Sequence, residues 1–98
     1  MKVYISGPIS GTNDYMERFA VAEKILQDRG YEVVNPAKEN AVLPAGTAWE
    51  VYMGESLKML CTCDAIFMMK NWLWSRGAKL EYAVATRMDK VIMEEEKL

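Results

Sequence analysis

Strand-like and helix-like runs alternate from one end of this chain to the other, and no other feature restricts the fold as much. Lys2-Val3-Tyr4-Ile5-Ser6 is alternating and β-rich. Tyr31-Glu32-Val33-Val34 reads as a second strand, ended by Asn35-Pro36. Asp64-Ala65-Ile66-Phe67-Met68-Met69 is a short apolar run suited to a strand buried on both faces, and Lys90-Val91-Ile92-Met93 makes a fourth strand. Between the strands, apolar residues recur at helical spacing. Met16, Phe19, Ala22, Ile25 and Leu26 share one face of a predicted helix over 14–29, stopped by Gly30. Trp49, Tyr52, Met53, Ser56, Leu57 and Leu60 repeat in the same way up to Cys61. A third helix starts at Ser75, a good N-cap, and runs to about residue 88. Asp14 with Glu17, and Thr47 with Glu50, read as capping boxes. Residues 37–46 form the longest predicted loop, either a lid or a plain connector.

The order βαβαβαβ implies a parallel sheet of four to five strands with helices on both faces, an α/β architecture. The 98 residues make one domain, 1–98. In such sheets ligands bind at the carboxyl ends of the strands, where strand order reverses. That edge here carries the turns 7–11 and 70–77.

Bulk properties exclude several function classes. A net charge of −2 with scattered Lys and Arg gives no footprint for polymeric nucleic acid. No stretch is apolar enough to span a membrane, and the N-terminus lacks a signal-peptide layout, so a cytoplasmic protein is expected. The two cysteines, Cys61 and Cys63, read as buried or half-buried free thiols; without histidine they are too few for a metal site. Neither a metal nor a cofactor is expected. Eight Met and three Trp are many for this length, and some are expected in the interface of a homodimer or larger homo-oligomer. Glu94-Glu95-Glu96-Lys97 reads as a solvated tail.

The chain contains no histidine, so acid–base or nucleophilic chemistry near neutral pH falls mainly to carboxylates. Within Ser75-Arg76-Gly77-Ala78-Lys79-Leu80-Glu81, Glu81 lies four residues after Gly77 and four before Ala85, on the apolar side of its helix. A poised carboxylate there can serve as base or nucleophile; equally, it can be a marginal Glu bonded to a backbone amide or paired with Lys79 or Arg76. Gly7-Pro8-Ile9-Ser10-Gly11 is either a simple tight turn or an anion cradle at a helix N-terminus. Ser75 with Gly77 is either an N-cap and a packing residue or a second cradle opposite the first. Tyr4 reads as a core tyrosine or as a residue pointing to that edge. Trp72 and Trp74 flank the loop and suit stacking on a base or sugar as well as they suit an interface. Asp64, at the far end of its strand, reads as a loop-fixing carboxylate.

In order, Tyr4-Ile5-Ser6-Gly7-Pro8-Ile9-Ser10-Gly11, Gly30-Tyr31-Glu32-Val33-Val34-Asn35-Pro36, Cys63-Asp64-Ala65-Ile66, Trp72 and the segment Ser75 to Glu81 resemble a known family. It is a small, largely uncharacterised branch of the nucleoside 2-deoxyribosyltransferase-like superfamily, which includes the deoxynucleoside 5′-monophosphate N-glycosidases. The resemblance covers nearly the whole chain. It implies a flavodoxin-like, Rossmann-like three-layer sandwich and cleavage or transfer at the N-glycosidic bond of a nucleoside or nucleotide. Glu81 matches the family's nucleophile, which attacks C1′ to form a covalent deoxyribosyl-enzyme that a second base or water resolves, in parallel with retaining glycosidases. Tyr4 matches a tyrosine that orients it. Gly7, Ser10, Ser75 and Gly77 match positions lining the sugar or its 5′-phosphate, and Ile9, Gly11, Ser56 and Trp72 complete the candidate binding residues.

The chain also departs from the pattern. Ser56 stands eight residues before Asp64, where the family's enzymes carry an aspartate that assists at the sugar and base; neighbouring Glu55 points about 100° away around the helix. Ser10 stands where the monophosphate glycosidases have an arginine. Family sites are often completed by a neighbouring subunit's later segment, and little sequence follows the fourth strand here. The expectation is a nucleoside- or nucleotide-processing enzyme, against a non-catalytic binding module for a nucleotide or sugar phosphate, or a scaffold without ligand.

Overall fold

Strand β1 (Lys2–Ser6) lies inside a four-stranded parallel sheet, with β2 (Glu32–Val34) on one side and β3 (Ala65–Met68), then β4 (Val91–Glu94), on the other. The structure, a computed structural model, describes residues 1–97. Helix α1 (Tyr15–Asp28) carries the chain outward from β1 to β2. A short helix α2 (Pro36–Glu39) and then α3 (Trp49–Cys61) bring it back across β1 to β3, and α4 (Arg76–Arg87) continues to β4. Right-handed crossovers running in opposite directions put α1 on one face of the sheet and α3 with α4 on the other. Strand order therefore reverses between β1 and β3.

The parity of the strand residues decides which face each one serves. Val3, Ile5, Ala65 and Phe67 pack with Phe19, Ala22 and Leu26 of α1. Tyr4, Ile66 and Met68 pack with Leu60 of α3 and with Ala78 and Ala85 of α4. Register aligns Tyr4 with Ile66 on β3 and with Val34 on β2. β1 and β3 are covered on both faces, so their residues are buried almost without interruption, and in β3 the apolar run is continuous.

Several expectations need correction. Residues 37–46 are not a plain loop: α2 and a 3-10 turn at Asn40–Val42 occupy the first part. The pair Asn35-Pro36, read as a strand end, is also a helix start. Asn35 accepts a hydrogen bond from the Lys38 N–H at 3.2 Å, and Pro36 takes the first helical position, where a missing N–H costs nothing. Neither capping box forms. Asp14 makes no side-chain cap because its backbone is not extended (φ −113°, ψ 17°). Helix α3 is capped by Ala48, while the Thr47 hydroxyl donates back to the Pro44 carbonyl at 2.5 Å. The acidic run near the C-terminus is not simply solvated. Glu94 ends β4, and Glu95 Oε1 accepts the Lys70 N–H at 2.8 Å, satisfying a backbone donor just beyond β3. Both cysteines are free, but Cys61 is exposed and only Cys63 is buried. Among the described residues no helix is long and apolar enough to cross a membrane.

Candidate active site

On β1, Tyr4 and Ser6 are two residues apart and so point to the same face, the one covered by α3 and α4. On α4, Ser75 caps the helix by accepting the Ala78 N–H at 3.1 Å. Docking of its apolar stripe on the sheet buries Ala78, Glu81 and Ala85 together. Glu81 is thereby delivered onto the even residues of β1. The Tyr4 hydroxyl donates to Glu81 Oε2 at 2.5 Å, and Ser6 Oγ donates to Oε1 at 2.6 Å. The partners of Glu81 are thus neither a backbone amide nor Lys79 or Arg76; they are two buried hydroxyls.

Burial dominates the electrostatics. With 6% of its surface exposed, Glu81 is pushed up from the ordinary carboxylate range to about 7, and the Ser6 and Tyr4 hydroxyls, which favour the ionised form, pull against that rise. Tyr4 is raised well above the ordinary phenol value, by burial first and then by the adjacent Glu81. The Ser56 hydroxyl acts on Tyr4 in the opposite sense. Ser56 is itself buried on α3, and its Oγ accepts a hydrogen bond from Asn40 Nδ2 at 3.0 Å.

A cavity of about 910 Å³ opens at the carboxyl edge of the sheet, beside the reversal of strand order. Of the sequence-predicted residues, Tyr4, Gly7, Ile9, Ser10, Ser56, Ser75, Gly77 and Glu81 line it together. Gly11 and Trp72 do not. Gly11 is exposed and serves the turn with φ +81°, while Trp72 stacks on Tyr82 of α4 with ring centroids 4.7 Å apart. Its neighbour Trp74 lines the cavity and is 82% exposed. Gly7 and Gly77 also have packing reasons to be glycine. A Cβ at Gly7 would fall 2.8 Å from the Met69 side chain, and one at Gly77 would fall 3.1 Å from Met53 Sδ. Asp64 sits at the opposite end of the sheet, where Oδ2 accepts the Lys2 N–H at 2.9 Å.

Three participants were not anticipated. Ser6 was legible in principle, since period-2 alternation puts it on the face of Tyr4. Asn40 carried no local signal, because its role depends on α2 bringing it to Ser56. For Arg76 the sequence suggests only a possible pairing with Glu81. It stands at the start of α4 with its guanidinium 3.6 Å from the centroid of the Trp49 ring, and both residues line the cavity. Arg76 joins none of the ion pairs among the described residues. Those residues contain no cluster suited to holding a metal ion. The arrangement therefore presents one carboxyl group, held by two hydroxyls and titrating near neutrality, against a cavity of small-molecule size.

No curated protein matches the chain. Among solved structures, the fold matches that of a 2-deoxyribosyltransferase from the psychrotolerant bacterium Bacillus psychrosaccharolyticus, with a TM-score of 0.77 and 18% sequence identity over 96% of this chain and 71% of that one. The sheet, its crossovers and the covering helices are those of a 2-deoxyribosyltransferase fold, of the flavodoxin-like α/β kind. The family model for DUF4406, a domain of unknown function, matches residues 1–94, and the chain belongs to that family.

Proposed function

We propose that the protein cleaves or transfers at the N-glycosidic bond of a deoxynucleoside or its 5′-monophosphate, with Glu81 as the nucleophile. The observation that carries this reading is the buried Glu81 carboxyl, held through both oxygens at the wall of a cavity on the carboxyl edge of the sheet. In the proposed step a Glu81 oxygen forms a bond to C1′ as the C1′–N bond breaks. The base leaves with the bonding electron pair and takes a proton from solvent. Water, or a nitrogen of a second base, then attacks C1′ and gives up a proton to solvent as the C1′–O bond to Glu81 breaks, which restores the carboxylate. The fold shared with a protein described as a 2-deoxyribosyltransferase supports the reaction class. Arg76 is the only cationic residue lining the cavity among the described residues, which favours a substrate bearing an anionic group such as a 5′-phosphate.

The test is to expose the protein to a 2′-fluoro nucleoside and its monophosphate and to weigh it by mass spectrometry. A sugar adduct on Glu81, absent in Glu81→Gln, is expected. Wild type without adduct, and without free base from natural deoxynucleotides, would end the enzyme reading. One observation favours a second reading, a non-catalytic nucleotide-binding module: Glu81 is the only carboxylate lining the cavity among the described residues, with Ser56 where an assisting aspartate is expected. That reading requires saturable binding by calorimetry without turnover, largely kept in Glu81→Gln. The proposal extends to a homo-oligomer, because Val42, Leu73 and Trp74 are large apolar side chains left exposed; native mass spectrometry reads the subunit number. Free thiols at Cys61 and Cys63 fit work in a reducing, cytoplasmic compartment.

A further inference from the structure

We propose that Ser6 is a positioning residue for Glu81, its hydroxyl holding Oε1 while Tyr4 holds Oε2, so that the carboxyl group meets the cavity in one orientation; this rests on the reading of Glu81 as the reacting group. Ser6 is the last residue of β1 and only 1% exposed. Its side chain makes one hydrogen bond, the 2.6 Å bond to Glu81. Unlike Tyr4, it does not line the cavity, so a ligand there is reached only through Glu81. A hydroxyl buried beside apolar strand residues has a desolvation cost that packing alone does not offset, and the carboxyl group is its one compensation.

Geometry explains what the bond accomplishes. A carboxylate gripped at one oxygen can still rotate about its terminal torsion, which is broad and soft. Gripped at both oxygens from different strand positions, its plane is set. Each oxygen has two acceptor sites, so one hydroxyl on each leaves a site on each for an electrophile. The ionisable groups around it come from several elements: Tyr4 on β1, Tyr15 on α1, Tyr52 on α3 and Arg76 on α4 itself all line the same cavity. From β3 the facing residues are the apolar Ile66 and Met68. None of the charged groups sets the titration of Glu81, which is a balance of burial against the two hydroxyls. Removing one hydroxyl therefore has a defined direction: the protonated form gains.

The experiment follows the Glu81 carboxyl by carbon-13 NMR across pH in wild type, Ser6→Ala and Ser6→Cys. Losing a hydrogen bond to an ionised group should raise its proton affinity by about tenfold in Ser6→Ala. The weak donor of Ser6→Cys should give a smaller rise. The rate of adduct formation with a 2′-fluoro nucleotide, measured below the midpoint, should fall by the same factor, with its acid limb displaced to higher pH. A folded Ser6→Ala whose Glu81 titrates as in wild type overturns the proposal. If Ser6→Ala does not fold, Ser6→Cys carries the comparison, and an unchanged titration there overturns it equally. The titration needs no turnover, so absence of any adduct in wild type counts against the nucleophile reading alone, while the titration judges Ser6.

Discussion

The two faces of the sheet are built from alternate residues of the same strands, yet they differ in kind. The face toward α1 is a continuous apolar core of Val3, Ile5, Phe19, Leu26 and Phe67. The face toward α3 and α4 has a comparable apolar base, but Tyr4, Ser6, Ser56 and Glu81 are buried at its carboxyl end. A fully apolar face needs only volume and shape, whereas burying a carboxyl group requires partners for each oxygen and leaves its proton affinity displaced. Both faces therefore contribute apolar burial, but the buried carboxyl group and the proposed chemistry lie on only one side of β1.

The largest effect should come from Glu81→Gln, which keeps the size of the side chain and removes the nucleophile. Adduct formation should fall by about 10³-fold or more while the thermal midpoint stays close to wild type, because Ser6 can turn its hydroxyl to accept from the new amide. Collapse of the fold instead would mean that the polar face is structural. The counterpart on the apolar face is Phe19→Ala. Chemical denaturation should show a loss of about 3–5 kcal/mol, with the Glu81 titration unmoved. Were that titration to move as well, the two faces would not be separable.

The pH dependence sets stability against chemistry. Glu81 has a folded-state value of about 7, above the roughly 4.3 of an unfolded glutamate. The folded state therefore binds more protons between those values. The contribution of Glu81 to stability is full below the lower value and is lost as pH rises through the upper one. Unfolding experiments should show this decline, and Glu81→Gln should flatten it. The adduct rate should run the other way, rising with pH toward and through 7 as the nucleophile ionises. The smallest effect is expected at the cavity mouth: Arg76→Ala should raise KM for a deoxynucleoside monophosphate by about tenfold and leave the unphosphorylated nucleoside nearly unchanged. Equal loss for both substrates would assign Arg76 to packing on Trp49.

Much of this organisation is legible in the sequence. Alternating strand and helix periods lead to a parallel sheet because parallel neighbours need crossovers, and β1, α1, α3, β3, α4 and β4 lie close to their expected positions. The failures cluster where local chemistry has alternatives. Asn35-Pro36 ends β2 as expected, but the same pair also starts a helix, fixed by the burial of Pro36 and Ala37. Thr47 and Glu50 have the spacing of a capping box, but the Thr47 hydroxyl found the Pro44 carbonyl first. Trp72 looked suited to a ligand, yet Tyr82, within the first two turns of the helix that follows, offers it a ring to stack on.

The linear chain was sufficient to choose the layers and to attach suspicion to Glu81, since both rest on periodicity and residue type over short distances. It could not supply the partners of that glutamate. Tyr4 and Ser6 lie 77 and 75 residues away along the chain, and they meet Glu81 only when α4 docks across β1. The displaced titration has the same origin. Burial and two converging hydroxyls are properties of packed space, so they came into being with the tertiary structure.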